Sequence, residues 1–211
     1  MILLKPDVSP KNLAQEYFSR YRKSGRGMEQ IGGLINQATN QLSYLDQLVA
    51  LVGFAETFDE IEALRHEWER VSASAVDAPE QPRKKKTTKK AAVPKPMIDQ
   101  YGNAVYVGRS GPANEIVTFE VAGPDDYWLH ARGAPGAHVI LRSARSGDEA
   151  LENSLEAAAE LAAYFSASRN DSSVPVDICK RRDVRKLKGA GPGMVTYRNE
   201  RTIRVKPSQG G

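Results

Sequence analysis

The sequence has a single cysteine, Cys179, and no apolar run long enough to cross a membrane. One cysteine cannot form an internal disulfide, which excludes the disulfide-rich secreted scaffolds. The opening Met1-Ile-Leu-Leu-Lys5 is also too short for the apolar core of a secretory signal. These absences predict a cytoplasmic protein without a membrane partner. We expect Cys179 to be a structural residue of a strand.

Motifs that bind metals or build nucleophiles are missing as well. The 211 residues include three histidines, and neither HExxH nor CxxC occurs among them. Zinc sites and metal-assisted hydrolases depend on such ligand spacings. We therefore predict that the chain is not an enzyme, and that it has no catalytic residue, no metal site and no cofactor.

Basic residues are concentrated in two places. Residues 79–98 carry seven lysines and arginines against one acid, and residues 177–211 carry ten against three, although the whole chain has a net charge of only +4. Local basic segments favour a polyanion that touches defined places. The composition divides the chain into a partial coiled-coil arm at 1–78, a basic Pro/Lys linker at 79–98 and a domain at 99–211.

The first segment has the pattern of helices. Ser9-Pro10 is a good N-cap and N1 pair, Ser24-Gly-Arg-Gly27 predicts an interruption, and Gly53 predicts a helix end. Thr57 to Glu60 forms a capping box that opens a second helix. Apolar residues recur in steps of three and four, which predicts an antiparallel hairpin with a coiled-coil seam. The seam consists of Ile31, Leu34, Ala38, Leu42, Leu45, Val49 and Val52, then Ile61, Leu64, Trp68 and Val71.

Residues 99–211 mix strand and helix patterns. We predict a hairpin of 104–107 with 115–121, two strands around the loop 133–136, a helix at 148–165 and a strand at 174–179. A last hairpin is predicted from 194–197 and 202–205. The fold class is therefore α+β, with a helical coiled-coil hairpin followed by a mixed α+β domain.

The window from Asp126 to His138 contains the densest group of functional residue types. In a strand, Asp126, Trp128 and His130 share one face, while Tyr127, Leu129 and Ala131 point to the core. Three hypotheses stay open. The acid and the histidines could serve a metal or acid–base chemistry, an exposed tryptophan beside a glycine loop could hold a base and a phosphate, or the hairpin could be purely structural. The candidate RNA-binding residues here are Asp126, Trp128, His130, Arg132, Pro135, Gly136 and His138.

A second candidate region runs from Lys180 to Gly193. Basic side chains alternate there with glycines that let a backbone approach closely, which suits a phosphate chain. An ordinary basic surface loop is the alternative. The candidate RNA-binding residues are Lys180, Arg181, Arg182, Arg185, Lys186, Lys188, Gly189 and Gly193.

Four motifs resemble the C-terminal half of the NFACT family of ribosome-associated quality-control factors. They are Asp126-x-Trp-Leu-His-x-x-x-x-Pro-Gly-Ala-His138, the helix from Ala158 to Tyr164, Lys186-x-Lys-Gly-Ala-x-Pro-Gly-Met194 and Thr202-Ile-x-Val205. They cover most of residues 99–207, which resemble the family's RNA-binding domain. Pro10-x-x-Leu-Ala-Gln-x-Tyr-Phe-x-x-Tyr21 is similar to the returning arm of the family's coiled coil.

The resemblance implies binding to the large ribosomal subunit with an obstructed peptidyl-tRNA, contact with rRNA, and support of C-terminal alanine tailing. The family's N-terminal domain and outgoing coiled-coil arm have no counterpart in this sequence, so we expect them to be supplied in cis or in trans. Two alternatives from other classes are a metal-dependent RNA-directed hydrolase and a coiled-coil scaffold.

Overall fold

A computed structural model describes residues 9–75, 93–143 and 148–209. The chain divides into two compact units, residues 1–41 and 42–211. The long first helix belongs to both units. Most of the predicted linker, residues 79–92, lies outside the described residues, and the predicted domain boundaries therefore stay a prediction.

Helix α1 spans Pro10–Val52, and Ser9 precedes it as a cap whose hydroxyl accepts from the Asn12 amide at 3.2 Å. The predicted interruption at Ser24 to Gly27 was wrong, because the helix continues through it. A glycine inside a helix costs about 1 kcal/mol but leaves the backbone hydrogen bonds intact. The predicted end at Gly53 is confirmed.

Helix α2 spans Phe58–Ala75. The capping box is formed in both directions, since the Glu60 amide donates to the Thr57 hydroxyl at 3.3 Å and the Thr57 amide donates to the Glu60 carboxylate at 3.1 Å. This pairing satisfies amide groups that the first helical turn leaves without partners.

The helices do not pack through the whole predicted seam. The buried cluster at the end of α1 contains Tyr44, Leu48 and Leu51, and Leu64 of α2 joins it. The seam positions Leu42 and Val49 are exposed, as are Ile31, Leu34, Val52, Ile61 and Trp68. The buried face is shifted because Met194 of the α+β domain packs against the same cluster.

The α+β domain is built on one antiparallel sheet. Its strands are β1 (Met97–Ile98), β2 (Ala104–Gly108), β3 (Tyr127–Ala131), β4 (His138–Arg142), β5 (Val174–Lys180) and β8 (Arg201–Val205), in the order β1-β2-β4-β3-β5-β8. A separate two-stranded ribbon joins β6 (Arg185–Lys186) and β7 (Val195–Thr196). The predicted α+β class and the β3–β4 hairpin are confirmed.

Two predicted hairpins were wrong. Residues 111–121 form helix α3 (Gly111–Ile116) and a π-helical turn (Val117–Val121), because Ser110 caps the helix and Pro112 fits its first turn. The segment 194–197 pairs with β6, and β8 pairs with β5. Periodicity identifies a strand, but it does not choose the strand's partner.

Both faces of the sheet are covered. Helix α4 (Glu149–Tyr164), close to its predicted bounds, packs on the face that carries Leu129, Val139 and Val176. The opposite face carries Trp128, Ile140 and Cys179, and it is covered by Val117 and Val184. The central strands are therefore buried on both sides.

The exposed apolar residues of α1 and α2 should drive weak self-association, because their contact would remove hydrocarbon surface from water. Val49 is 74% exposed and Ile61 is 52% exposed. Sedimentation velocity should show an average mass that rises with concentration, and V49E/I61E should abolish the rise. The matched control is Q41E/S43E, which adds the same charge at exposed polar positions. A wild-type chain that stays monomeric at every concentration would contradict this prediction.

Candidate nucleic-acid interface

Trp128 lies at the centre of a ring cluster on the covered face of the sheet. It is fully buried, stacks on His130 at 5.6 Å between ring centroids, and meets His138 edge-on at 5.1 Å and Tyr197 at 4.8 Å. This burial contradicts the hypothesis of an exposed tryptophan and favours the structural hypothesis at this residue, because Val117 and Val184 cover this face. Trp128 fills a core and offers no surface for a stacked base.

His138 is bound within the same core. Its backbone N–H donates to the Asn114 side chain at 2.9 Å, its Nδ1 lies 2.9 Å from the Thr118 hydroxyl, and the Asn114 amide group donates to the Gly136 carbonyl. Burial lowers the pKa of His138 well below the usual histidine value. These contacts favour the structural hypothesis for this residue.

His130 is only partly buried, and its ring continues the stack of Trp128 toward the surface. Burial lowers its pKa to about 4, although the carboxylate of Asp177 acts in the opposite direction. His130 is therefore neutral at physiological pH. It can offer a ring or a hydrogen bond to a ligand, but no positive charge.

The Gly133 to Gly136 loop is held against the end of α4. The Ala137 amide donates to the Phe165 carbonyl at 2.8 Å, and the Ala167 amide donates to the Pro135 carbonyl at 2.9 Å. A Cβ at Gly136 would lie 2.6 Å from the Phe165 carbonyl oxygen, so only glycine fits this close approach. Pro135 and Gly136 thus have a structural role, and a role in RNA binding stays a prediction.

Asp126 and His138 have different hydrogen-bond partners in this structure. The Asp126 carboxylate accepts from the Gly123 amide at 2.9 Å and from Arg142 at 3.0 Å. Among residues 9–75, 93–143 and 148–209, no three histidines, cysteines, aspartates or glutamates are grouped to hold a metal ion. Cys179 is buried in β5, and burial raises the pKa of its thiol to about 12.

In the basic segment from Lys180 to Gly193, some side chains have partners within the described residues and others do not. Lys180 lies over the Tyr127 ring at 3.3 Å, Arg181 donates to the Thr118 carbonyl, and Arg182 and Lys186 form ion pairs with Asp125 and Glu115 at 2.5 and 2.6 Å. The structure as described gives no hydrogen bond or ion pair to the side chains of Arg185 and Lys188, and both are exposed.

The glycines of this segment serve two purposes. Gly189 has a φ of +75° and open space around it. Gly191 instead packs on the base of the helical arm, where an added Cβ would lie 2.6 Å from the Tyr44 ring. At Gly193 an added Cβ would lie 2.8 Å from the Asn114 Cβ. The prediction that the glycines let a phosphate approach remains untested at Gly189. At Gly193 the close approach is to the protein itself.

A buried hydrogen-bond network of Tyr44, Glu67 and Gly111, called the polar lock below, joins the arm to the domain beside these glycines. The Tyr44 hydroxyl and the Gly111 amide both donate to the carboxylate of Glu67, which is fully buried. Burial raises the pKa of Glu67, against the opposing effect of these hydrogen bonds. The lock fixes the end of α1 and the middle of α2 against α3.

Asp177 organises a group that the sequence analysis missed. Its buried carboxylate accepts from Arg132 at 2.9 Å, from Tyr197 at 2.8 Å and from Thr202 at 2.6 Å. Burial raises the pKa of Asp177, but these hydrogen bonds outweigh it and the net pKa is lowered. A lone acid inside an apolar strand pattern, Val174-Pro-Val-Asp-Ile178, was the available signal.

Two family models match this chain. Residues 1–89 match the family model of the NFACT N-terminal and middle domains, and residues 96–199 match that of the NFACT protein RNA binding domain. No helix within the described residues is long and apolar enough to span a membrane. These matches define the class of protein, which is a helical arm joined to an RNA binding domain.

Curated relatives and a solved structure show the same likeness. The Rqc2 homolog RqcH of Bacillus subtilis is 36% identical over 210 residues, which are 98% of this chain and 35% of the relative. That of Streptococcus pneumoniae is 30% identical over 207 residues, 98% of this chain and 36% of the relative. The structure of the C-terminal of the fibronectin/fibrinogen-binding protein from Streptococcus suis superposes with a TM-score of 0.77 and 28% identity, covering 97% of this chain and 78% of that chain.

The chain belongs to the NFACT family, as its motifs indicated. It spans about a third of the length of the curated relatives that it matches.

Lowering the pH should destabilise the domain through His130 and His138, whose pKa values are lowered in the folded protein. The folded protein takes up a proton at His130 only near pH 4, whereas the unfolded chain takes it up near 6.5, so the unfolded state binds more protons between these values. The free energy of unfolding should therefore fall as the pH drops from about 6.5 to 4, by at most about 1.4 kcal/mol per pH unit for each such histidine. Urea titrations test this, and H130N should flatten the slope. An unchanged slope in H130N would contradict the assignment.

Removal of the buried carboxylate should loosen the lock. E67A leaves the Tyr44 hydroxyl and the Gly111 amide without their acceptor, and we expect a loss of about 1–3 kcal/mol in the free energy of unfolding. The matched control is E69A on the same helix, because the Glu69 side chain is 59% exposed and pairs only at the surface. Equal urea midpoints for the two variants would show that the lock does not stabilise the chain.

Proposed function

We propose that this chain is the RNA- and ribosome-binding part of a ribosome quality-control factor. The observation that carries the proposal is the match of residues 96–199 to an RNA binding domain, together with the free basic side chains that the domain presents. The relatives are named as Rqc2 homologs, which supports the quality-control context.

Binding to large subunits that hold an obstructed peptidyl-tRNA, and support of alanine tailing, are the finer part of the proposal. They rest on the family resemblance. In this proposal the chain has no catalytic role of its own, because peptidyl transfer belongs to the ribosome. The family's N-terminal domain and outgoing arm are supplied in cis or in trans. The cytoplasm is the compartment in which such a factor would act.

Electrostatic attraction to phosphates would supply most of the affinity. Arg185 and Lys188 are exposed on a segment whose backbone is fixed by the β6–β7 ribbon and by the packing of Gly191 on Tyr44. Basic groups on a fixed backbone lose less conformational freedom on binding than those of a flexible tail. Each phosphate contact releases condensed counterions, which makes the affinity dependent on salt.

The metal-dependent hydrolase has no comparable support. The carboxylate of Asp126 is engaged with Arg142 and Gly123, and His138 is inside the core. The exposed apolar positions of α1 and α2 favour a helical partner in addition to RNA binding, and not in place of it.

The proposal predicts salt-dependent binding of structured RNA by the full chain. In fluorescence anisotropy with a labelled RNA hairpin, the affinity should fall steeply as salt rises, and R185A/K188A should reduce the slope of log affinity against log salt by about two. The control R22A/K23A removes equal charge from exposed positions of α1 and should leave the slope unchanged. Absence of RNA binding, or binding that is insensitive to salt, would overturn the proposed function.

A further inference from the structure

Arg132 is held in one orientation by two carboxylates. Its Nε lies 2.9 Å from the buried carboxylate of Asp177, and a terminal nitrogen lies 3.3 Å from Glu200. The Arg132 side chain nevertheless remains 50% exposed. Carboxylates that bind one side of a guanidinium leave its other N–H donors directed outward, and a guanidinium fixed in this way suits an anionic oxygen pair.

A second arginine stands in the same row of the sheet. The Arg132 amide donates to the Pro175 carbonyl at 2.8 Å, and Pro175 pairs with Arg204 of β8. Two strand spacings therefore separate the backbones of Arg132 and Arg204, a distance of about 10 Å. Thr202 bonds to Asp177, and alternation along β8 places Arg204 on the same face as Thr202.

Some basic residues of this region form ion pairs, and others have no partner within the described residues. Arg198 and Arg201 form ion pairs with Asp183 and Glu152 at 3.4 and 2.7 Å. Arg204 and Lys206 are exposed, and the part of the chain that the structure describes offers them no ion pair or side-chain hydrogen bond. Across β3, β5 and β8 the sheet thus carries one fixed guanidinium and two exposed cations without a partner among the described residues.

The surroundings of these cations fit a polyanion better than a protein. A protein interface has an apolar centre. In residues 93–143 and 148–209, the exposed large apolar side chains are Val93, Met97 and Ile98, which lie before or within β1, the strand at the other edge of the sheet. Next to Asp177 are instead two partly buried rings, those of His130 and Tyr197.

We propose that this region, the β8 end of the sheet defined by Arg132, Tyr197, Arg204 and Lys206, binds the phosphate backbone of RNA. Asp177 is its positioning residue, since it holds Arg132 without reaching the ligand itself. The inference rests on the proposed RNA-binding function and adds a surface separate from Arg185 and Lys188. The rings beside the cations would contact bases or riboses of the same strand.

The first test compares variants of the full chain with a labelled RNA hairpin over a salt series. R204Q/K206Q should weaken binding and lower the slope of log affinity against log salt by about two, and R132A should lower it by about one. The control R22Q/K23Q should match the wild type. If the wild type binds with a steep salt dependence and the slopes of R204Q/K206Q and R132A are unchanged from it, the inference is overturned and the proposed function stays intact. No RNA binding by the wild type would overturn both.

A double-mutant cycle tests the positioning role. D177N should weaken RNA binding in the wild-type background and have no further effect in the R132A background. Equal losses in both backgrounds would show that Asp177 acts only through the fold. R132A keeps the test decisive if D177N unfolds, since the Arg132 side chain is half exposed.

Competition separates RNA from an acidic protein partner. Unlabelled RNA should displace the labelled hairpin at concentrations where polyglutamate of equal charge does not. If polyglutamate displaces the hairpin at the same charge concentration, and R204Q/K206Q abolishes this displacement, the assignment to RNA is overturned. The region would then bind an acidic protein segment.

Discussion

Burial of the central strands on both faces is the constraint on which the rest of this structure depends. Strand β3 places Leu129 against α4 and Trp128 against the opposite layer, and both side chains are fully buried. A sheet of this kind needs two covers. One cover is a regular helix. The other is assembled from α3, the π-helical turn and the basic segment after β5, so the segment that carries the charges is also part of the core.

That second cover connects the domain to the helical arm. Gly191 packs on the ring of Tyr44, and Tyr44 donates to Glu67, which also accepts from the Gly111 amide. A buried carboxylate is tolerated only when its oxygens are hydrogen-bonded. The position of the basic segment and the packing of residues 44–67 on the domain therefore depend on the same contacts.

The sequence patterns predicted where most helices and strands lie, but not which strands pair with one another. The capping box at Thr57, the helix that begins near Asp148 and the strand at Val174 follow from local signals, because caps and periodicity act within a few residues. Residues 115–121 read as a strand and fold as a helix, since the Ser110 cap and tertiary packing outweigh weak β-propensity. The seam on α1 was displaced for a similar reason, as the α+β domain competes for the same helix face.

The sequence by itself determined the family, the α+β class and the positions of the basic segments, because motifs and charges are properties of the chain order. Only the tertiary structure decided which of those residues are available to a ligand. Trp128 and His138 are buried, Lys186 is paired with Glu115, and Arg185 is exposed. Burial and pairing depend on strands far apart in the chain, as when Arg132 meets Asp177. No local pattern contains that information, because the contact exists only once β3 and β5 are adjacent.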